Sequence, residues 1–176
     1  MKYLGTLLGL LYIFQQEPAA IIEIRKQFIY VNDNLSKMEK RKFEVMDQST
    51  EGGEGIQYFD EGELVKLSFK LYGESGKLTR DIYFKNQELI FVYDQKSIYN
   101  RSIYLDDTTA KETGLITSFS PNKTNIMEDR FYFDDQRLIR WIDSDGSHRH
   151  QGDSAFSNVE RAIIDDVEHL LQKPLR

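Results

Sequence analysis

Tyr83-Phe84-Lys85-Asn86-Gln87-Glu88-Leu89-Ile90 reads as an aromatic pair, four polar residues and an aliphatic pair. The same phrase stands at Tyr58-Phe59 … Leu64-Val65 and at Tyr132-Phe133 … Leu138-Ile139. The first two copies start about 25 residues apart and the third about twice that further on, which is a repeat signal. Each copy reads as the tip of a β-hairpin, so together they define one sheet.

Working outward, turn residues mark Asp60-Glu61-Gly62, Gly73-Glu74-Ser75-Gly76, Lys85-Asn86-Gln87 and Asp134-Asp135-Gln136. A three-residue loop at Asp60–Gly62 sets Phe59 opposite Glu63 and Tyr58 opposite Leu64. A four-residue loop at Gly73–Gly76 sets Leu71 opposite Leu78. Directly opposed residues share a face, as do alternate residues along a strand. That parity puts Phe59, Val65, Leu67, Phe69, Ile82, Phe84, Ile90, Val92, Phe131, Phe133, Ile139 and Trp141 on one apolar face. Tyr58, Leu64, Tyr83, Leu89, Phe91, Tyr93, Tyr132, Leu138 and Arg140 fall on the other. The first face reads as the core and the second as a mixed, open surface.

Two amphipathic helices bracket this sheet. Ile21, Ile24, Phe28, Val31, Leu35 and Met38 form an apolar stripe from Ala19 to about Arg41, with Pro18 ahead of the first turn. Phe156, Val159, Ile163, Val167 and Leu170 form another from about Ala155 to Gln172, stopped by Pro174. Ser157 with Glu160 fits a capping box. Phe43–Met46 reads as a short strand. The expectation is an α+β fold: an antiparallel β-meander of about six strands, with the N- and C-terminal helices packed on one face. The repeat sheet spans about 55–143, and Gln95–Asn125 interrupts its alternation as a long insertion of the kind that often carries function.

The 176 residues suit one domain, read as 17–176. Lys2 followed by the uncharged stretch Tyr3–Phe14 and then Gln15-Gln16-Glu17-Pro18 fits a signal peptide over 1–16. Export to the periplasm or the extracellular space is therefore expected, with no membrane-spanning segment in the mature chain. A net charge of −6 argues against nucleic acid as a partner. The absence of cysteine excludes disulfides, thiolate metal sites and cysteine nucleophiles.

Catalytic motifs are absent. No Gly-x-Ser-x-Gly elbow occurs, and the Gly-rich stretch Ser49–Gly55 lacks the Gly-Lys-Ser/Thr ending of a phosphate loop. His148, His150 and His169 are the only histidines, with Asp143 and Asp145 upstream. Such ligands hold divalent ions, but Asp and Gly also form turns. No catalytic residue, metal or other cofactor is assigned. Tyr58, Tyr83, Phe91, Tyr93, Tyr132 and Arg140 form the candidate partner-binding face, because Tyr and Arg are enriched at recognition surfaces.

The run Tyr72–Asn86 and the later Arg130–Trp141 resemble uncharacterised exported bacterial proteins with repeated aromatic-x-x-Gly-x-Leu β-hairpins, and less closely MORN-like repeats. The glycine of that pattern stands at Gly62 and Gly76, with Gln87 and Gln136 at the other tips. The resemblance covers about 55–143 and implies no activity. The expected function is a non-catalytic, exported binding domain that meets a protein or cell-envelope component through its Tyr-rich open sheet face. A hydrolase with a carboxylate or histidine site is one alternative. An inhibitor or immunity-type protein, using the insertion and the acidic surface, is the other.

Overall fold

The computed structural model describes residues 17–45 and 48–172. The segment read as a signal peptide lies outside the described residues, as do Pro174 and the Met46 end of the strand read at 43–46. Helix α1 (Ala19–Asn34) leads into β1 (Glu39–Glu44), β2 (Gly53–Asp60), β3 (Glu63–Gly73), β4 (Gly76–Lys85) and β5 (Glu88–Ile98). The insertion carries the short helix α2 (Asp107–Glu112). β6 (Asn125–Asp134), β7 (Arg137–Ile142), β8 (His148–Arg149) and α3 (Ser154–Gln172) follow. All eight strands join one antiparallel sheet in sequence order. The fold is α+β, with a meander two strands wider than expected.

The additional strands are the two edges. β1 (Glu-Lys-Arg-Lys-Phe-Glu) has no apolar alternation, yet it pairs along its length with β2, from Glu39 opposite Phe59 to Glu44 opposite Glu54. Its charge is what an edge strand uses to discourage pairing with a second molecule. Sheet pairing also shortens α1, which ends at Asn34 instead of near Arg41. The Asn32 and Asn34 side-chain amides donate back to the Phe28 and Tyr30 carbonyls at 2.7 and 2.9 Å, closing the last turn. At the other end α3 starts at Ser154. Glu160 caps no helix: it accepts from the Leu138 backbone N–H at 2.9 Å and from Arg137 at 3.0 Å.

The recurring phrase has a specific geometry. Its tips are two-residue turns with both residues in the left-handed region: Glu61-Gly62 (φ 49° and 87°), Asn86-Gln87 (52° and 67°) and Asp135-Gln136 (49° and 58°). Such mirror-image turns match the right-handed twist of the strands. Phe59 therefore opposes Leu64, Phe84 opposes Leu89 and Phe133 opposes Leu138. The register then slips by one at each Tyr-Phe step, leaving Val65, Ile90 and Ile139 as the extra residue of a β-bulge. The three-residue loop expected at Asp60–Gly62 is thus a shorter turn plus a bulge. Beyond the bulge the two changes cancel in parity, and Leu71 opposes Leu78 as expected.

Inside the bulge they do not cancel. Leu89 and Leu138 belong to the core with Phe84, Phe131 and Phe133, and Leu64 packs against it. Val65, Ile90 and Ile139 turn to the opposite side, with the tyrosines. Six aliphatic residues therefore exchange faces relative to the sequence reading.

Each face has its own helix, which corrects the expectation that both helices share one. α3 brings Phe156, Ile163, Val167 and Leu170 onto Leu67, Phe69, Ile82, Val92 and Phe133. α1 brings Ile21, Ile24 and Val31 onto Val65, Tyr83, Phe91 and Tyr132. The Phe43 ring lies over Gly55, where a Cβ would come within 2.2 Å of it, so a larger residue there would push that ring aside. No helix among the described residues is long and apolar enough to cross a membrane.

Candidate functional site

The six residues expected on an open face divide. Tyr83 (1% exposed), Phe91 (6%) and Tyr132 (6%) are buried beneath α1, whereas Tyr58, Tyr93 and Arg140 are half-buried. Phe28 of α1 packs on the first two, with ring centroids 5.1 Å from Tyr83 and 5.6 Å from Phe91, which lie 5.7 Å from each other. The Phe91 ring lies 4.9 Å from Tyr132. These spacings are those of favourable aromatic packing. The face is closed because a ring system of this area is worth more buried than solvated, and α1 presents a matching stripe.

The polar ends of that face are also matched internally. Lys66 is buried, donates to the Tyr83 hydroxyl at 2.9 Å and pairs with Asp81 at 2.8 Å. The Tyr83 hydroxyl donates to Asn32 Oδ1 at 3.2 Å, tying α1 to the sheet. Burial lowers the Lys66 pKa, but the charge of Asp81 and the hydrogen bonds to Asp81 and Tyr83 outweigh it, so the net shift is upward. Burial raises the Tyr83 pKa against the opposing pull of Lys66. Arg140 pairs with Glu17 and lies 5.9 Å from the Tyr132 ring centre.

The face under α3 holds a buried ion cluster. Arg80 binds Asp94 bidentately at 2.6 and 2.7 Å and reaches Asp166 of α3 at 2.8 Å. Asp129, opposite Asp94 on the neighbouring strand, accepts from Trp141 Nε1 at 2.9 Å. Alternation along β4 puts Arg80 on the core face between Leu78 and Ile82, but nothing in the sequence names its partners, which come from two other elements, β5 and α3.

The chemistry of the histidine region is that of a turn. Asp143 accepts from the backbone N–H groups of Asp145 and Ser147 and pairs with Arg149. Hydrogen bonding from Asp143 and then Ser147 holds the Asp145 carboxyl down to about 2. Among the described residues, no three histidine or acidic side chains gather as a metal site would require. A shallow, open cavity of about 350 Å³ lies at the hairpin tips, lined by Gln27, Asp60, Glu61, Glu63, Val65, Lys85 and Asn86. Its carboxylates are near neighbours on one turn, and Asp60 is engaged by the Tyr30 hydroxyl at 2.7 Å. Glycoside hydrolysis needs two carboxylates facing each other across a cleft.

The insertion forms the opposite end of the sheet. Its backbone docks on the β3–β4 turn, through Tyr99 N–H to Ser75 O and Ile103 N–H to Glu74 O, both 2.9 Å. Above this base stand Ile103, Tyr104, Leu115 and Ile116, all exposed, with Ile98 and Ile126 exposed on the strands that carry it. Ile116 is 99% exposed. Loss of apolar periodicity between Gln95 and Asn125 marked the segment in the sequence, but not which of its residues face solvent.

No protein-family model, no curated protein and no solved structure matches this chain.

Proposed function

We propose that the chain is a non-catalytic, exported binding domain that meets a protein partner through its insertion. The observation that carries this reading is the group of exposed apolar side chains there, with Ile116 fully in solvent. Exposed apolar side chains concentrated on one inserted segment are a feature of interaction sites. The Tyr-rich face expected to serve that role is occupied by α1, and its polar groups satisfy one another.

The test separates the two surfaces. Ile116→Asp is expected to abolish retention of partner from a native envelope fraction while the melting temperature stays unchanged. Tyr83→Ala with Tyr132→Ala is expected to lower the melting temperature steeply, because both rings are buried. Equal retention by wild type and Ile116→Asp would overturn the reading. Export is checked by the N-terminus of the protein from cells: an intact Met1 on cytosolic protein would remove that part of it.

A further inference from the structure

We propose that the outer edge of β1 is a second binding site, which takes up an extended acidic segment of a partner protein as a further strand of the sheet. This goes beyond the binding reading above and does not rest on it. The inference starts from the different treatment of the two sheet edges.

The β7 edge is closed. β8 pairs with Trp141 and Ile142, the last residues of β7. Ahead of them Leu138 N–H donates to Glu160 of α3 at 2.9 Å, and Ile139 O accepts from Gln151 Nε2 at 3.4 Å. The β1 edge has no such cover. Glu39–Glu44 run beside β2 without a break in register, and all of them but Phe43 are exposed.

Hydrogen-bond parity decides which main-chain groups face outward. Val45 N–H donates to Gly53 O at 2.9 Å, and opposed pairs in an antiparallel ladder alternate between bonded and unbonded. Phe43–Gly55, Arg41–Gln57 and Glu39–Phe59 are therefore the bonded pairs. The N–H and C=O groups of Lys40 and Lys42 point away from β2, and no described residue beyond the sheet bonds to them. Outward groups held at strand spacing are what an extended peptide uses to add itself to a sheet.

Charge selects the strand. Lys40 and Lys42 stand on one face, two residues apart, opposite Tyr58 and Ile56. Arg41, on the other face, pairs with Glu39 at 2.8 Å, whereas Lys40 and Lys42 form no salt bridge among the described residues. A second copy is a poor partner: with two β1 strands fully overlapped and antiparallel, Glu39 opposes Glu44 and Arg41 opposes Lys42. Like charges directly opposed destabilise such a pair. The charge that discourages self-pairing favours an acidic strand. Carboxylates two residues apart would oppose Lys40 and Lys42 on the same face, while the two main chains bond to each other.

The experiment uses the full chain and short synthetic peptides that alternate Glu with Thr, or Lys with Thr. The Glu-Thr peptide is expected to bind and the Lys-Thr peptide is not. Lys40→Glu with Lys42→Glu, both at exposed positions, should reverse that preference. N-methylation of the first peptide at its Glu residues removes the donors that face β1 and should weaken binding about tenfold. N-methylation at its Thr residues should leave binding unchanged. Bound peptide should also slow amide exchange at Lys40 and Lys42 more than at Arg41, which is already paired with β2. No binding of the Glu-Thr peptide at about 1 mM would overturn the inference. So would a preference that survives the charge reversal, or equal loss from both N-methylated peptides, which would mean attraction by charge without strand addition.

Discussion

The two faces of the sheet are closed by different chemistry. Under α3, aliphatic and phenylalanine side chains make a dry core, with charge confined to the Arg80 cluster. Under α1, tyrosine rings and one buried lysine make a core that is apolar in its bodies and polar at its tips. The first is an area-driven contact that tolerates no unpaired charge. The second has hydrogen bonds built into it, so its assembly is both packing and alignment. Hydrophobic patterning recognises only the first kind, since a face of Tyr, Lys, Asp and Arg looks the same whether solvent or a helix covers it.

The largest expected effect breaks the α3 face. Arg80→Met leaves Asp94 buried without its counter-charge and should destabilise by about 3–5 kcal/mol in chemical denaturation. Arg80→Met combined with Asp94→Leu should recover most of that loss. If the double variant is no better than the single one, the cluster is doing something other than pairing charge.

A smaller effect probes the α1 face. Tyr83→Phe keeps the ring but removes the hydroxyl between Lys66 and Asn32, and should cost about 1–2 kcal/mol. The alkaline limb is informative too. Both Lys66 and Tyr83 have pKa values raised by the fold, so the folded state holds its protons longer than the unfolded chain. Their contribution is complete below the ordinary values of 10.5 and 10.0 and is lost as pH rises through the folded ones. Melting temperature should therefore fall from about pH 10 upward, and less steeply in Tyr83→Phe. An identical slope in wild type and variant would show that Tyr83 does not titrate with unfolding.

The smallest effect concerns the tips that both faces share. Gln136 sits at φ 58°, where a side chain is strained by about 1 kcal/mol and glycine is not. Gln136→Gly should stabilise by a few tenths to about 1 kcal/mol, and Gly62→Gln at φ 87° should do the reverse.

Much of this fold was legible. The repeated phrase, the four turns and the two helical stripes predict an α+β meander, and the turn at Gly73–Gly76 has the expected register. The bulges were hidden because a one-residue slip and a one-residue shorter turn cancel beyond Tyr58, Tyr83 and Tyr132, leaving a trace only in the aliphatic pairs. Of β1 only the Phe43–Glu44 end was read as strand, because edge pairing recruits the charged segment Glu39–Lys42, which has no pattern of its own. The assignment of α1 and α3 to opposite faces depended on tertiary competition between two apolar stripes. The site was less legible still: next to the exposed Ile116 the loop is held by Asn100 on Ser118 O and Arg101 on Thr117 Oγ1, and such reach across a loop has no period.

The seam where α1 lies has a kinetic meaning. Every other pair of neighbouring strands is joined by a short connection or a modest loop, so those ribbons close locally. β5 and β6 are separated by residues 99–124, and closing that loop costs roughly 2 kcal/mol more entropy than closing a two-residue turn. The α1 helix packs against β5 and β6, on both sides of this late junction. The apolar stripe of α1 therefore finds Val65, Tyr83 and Phe91 on strands joined by short turns, and gains Tyr132 only once β6 crosses that loop. The aromatic core under α1 is thus completed by the one strand pairing that carries the largest loop-closure cost.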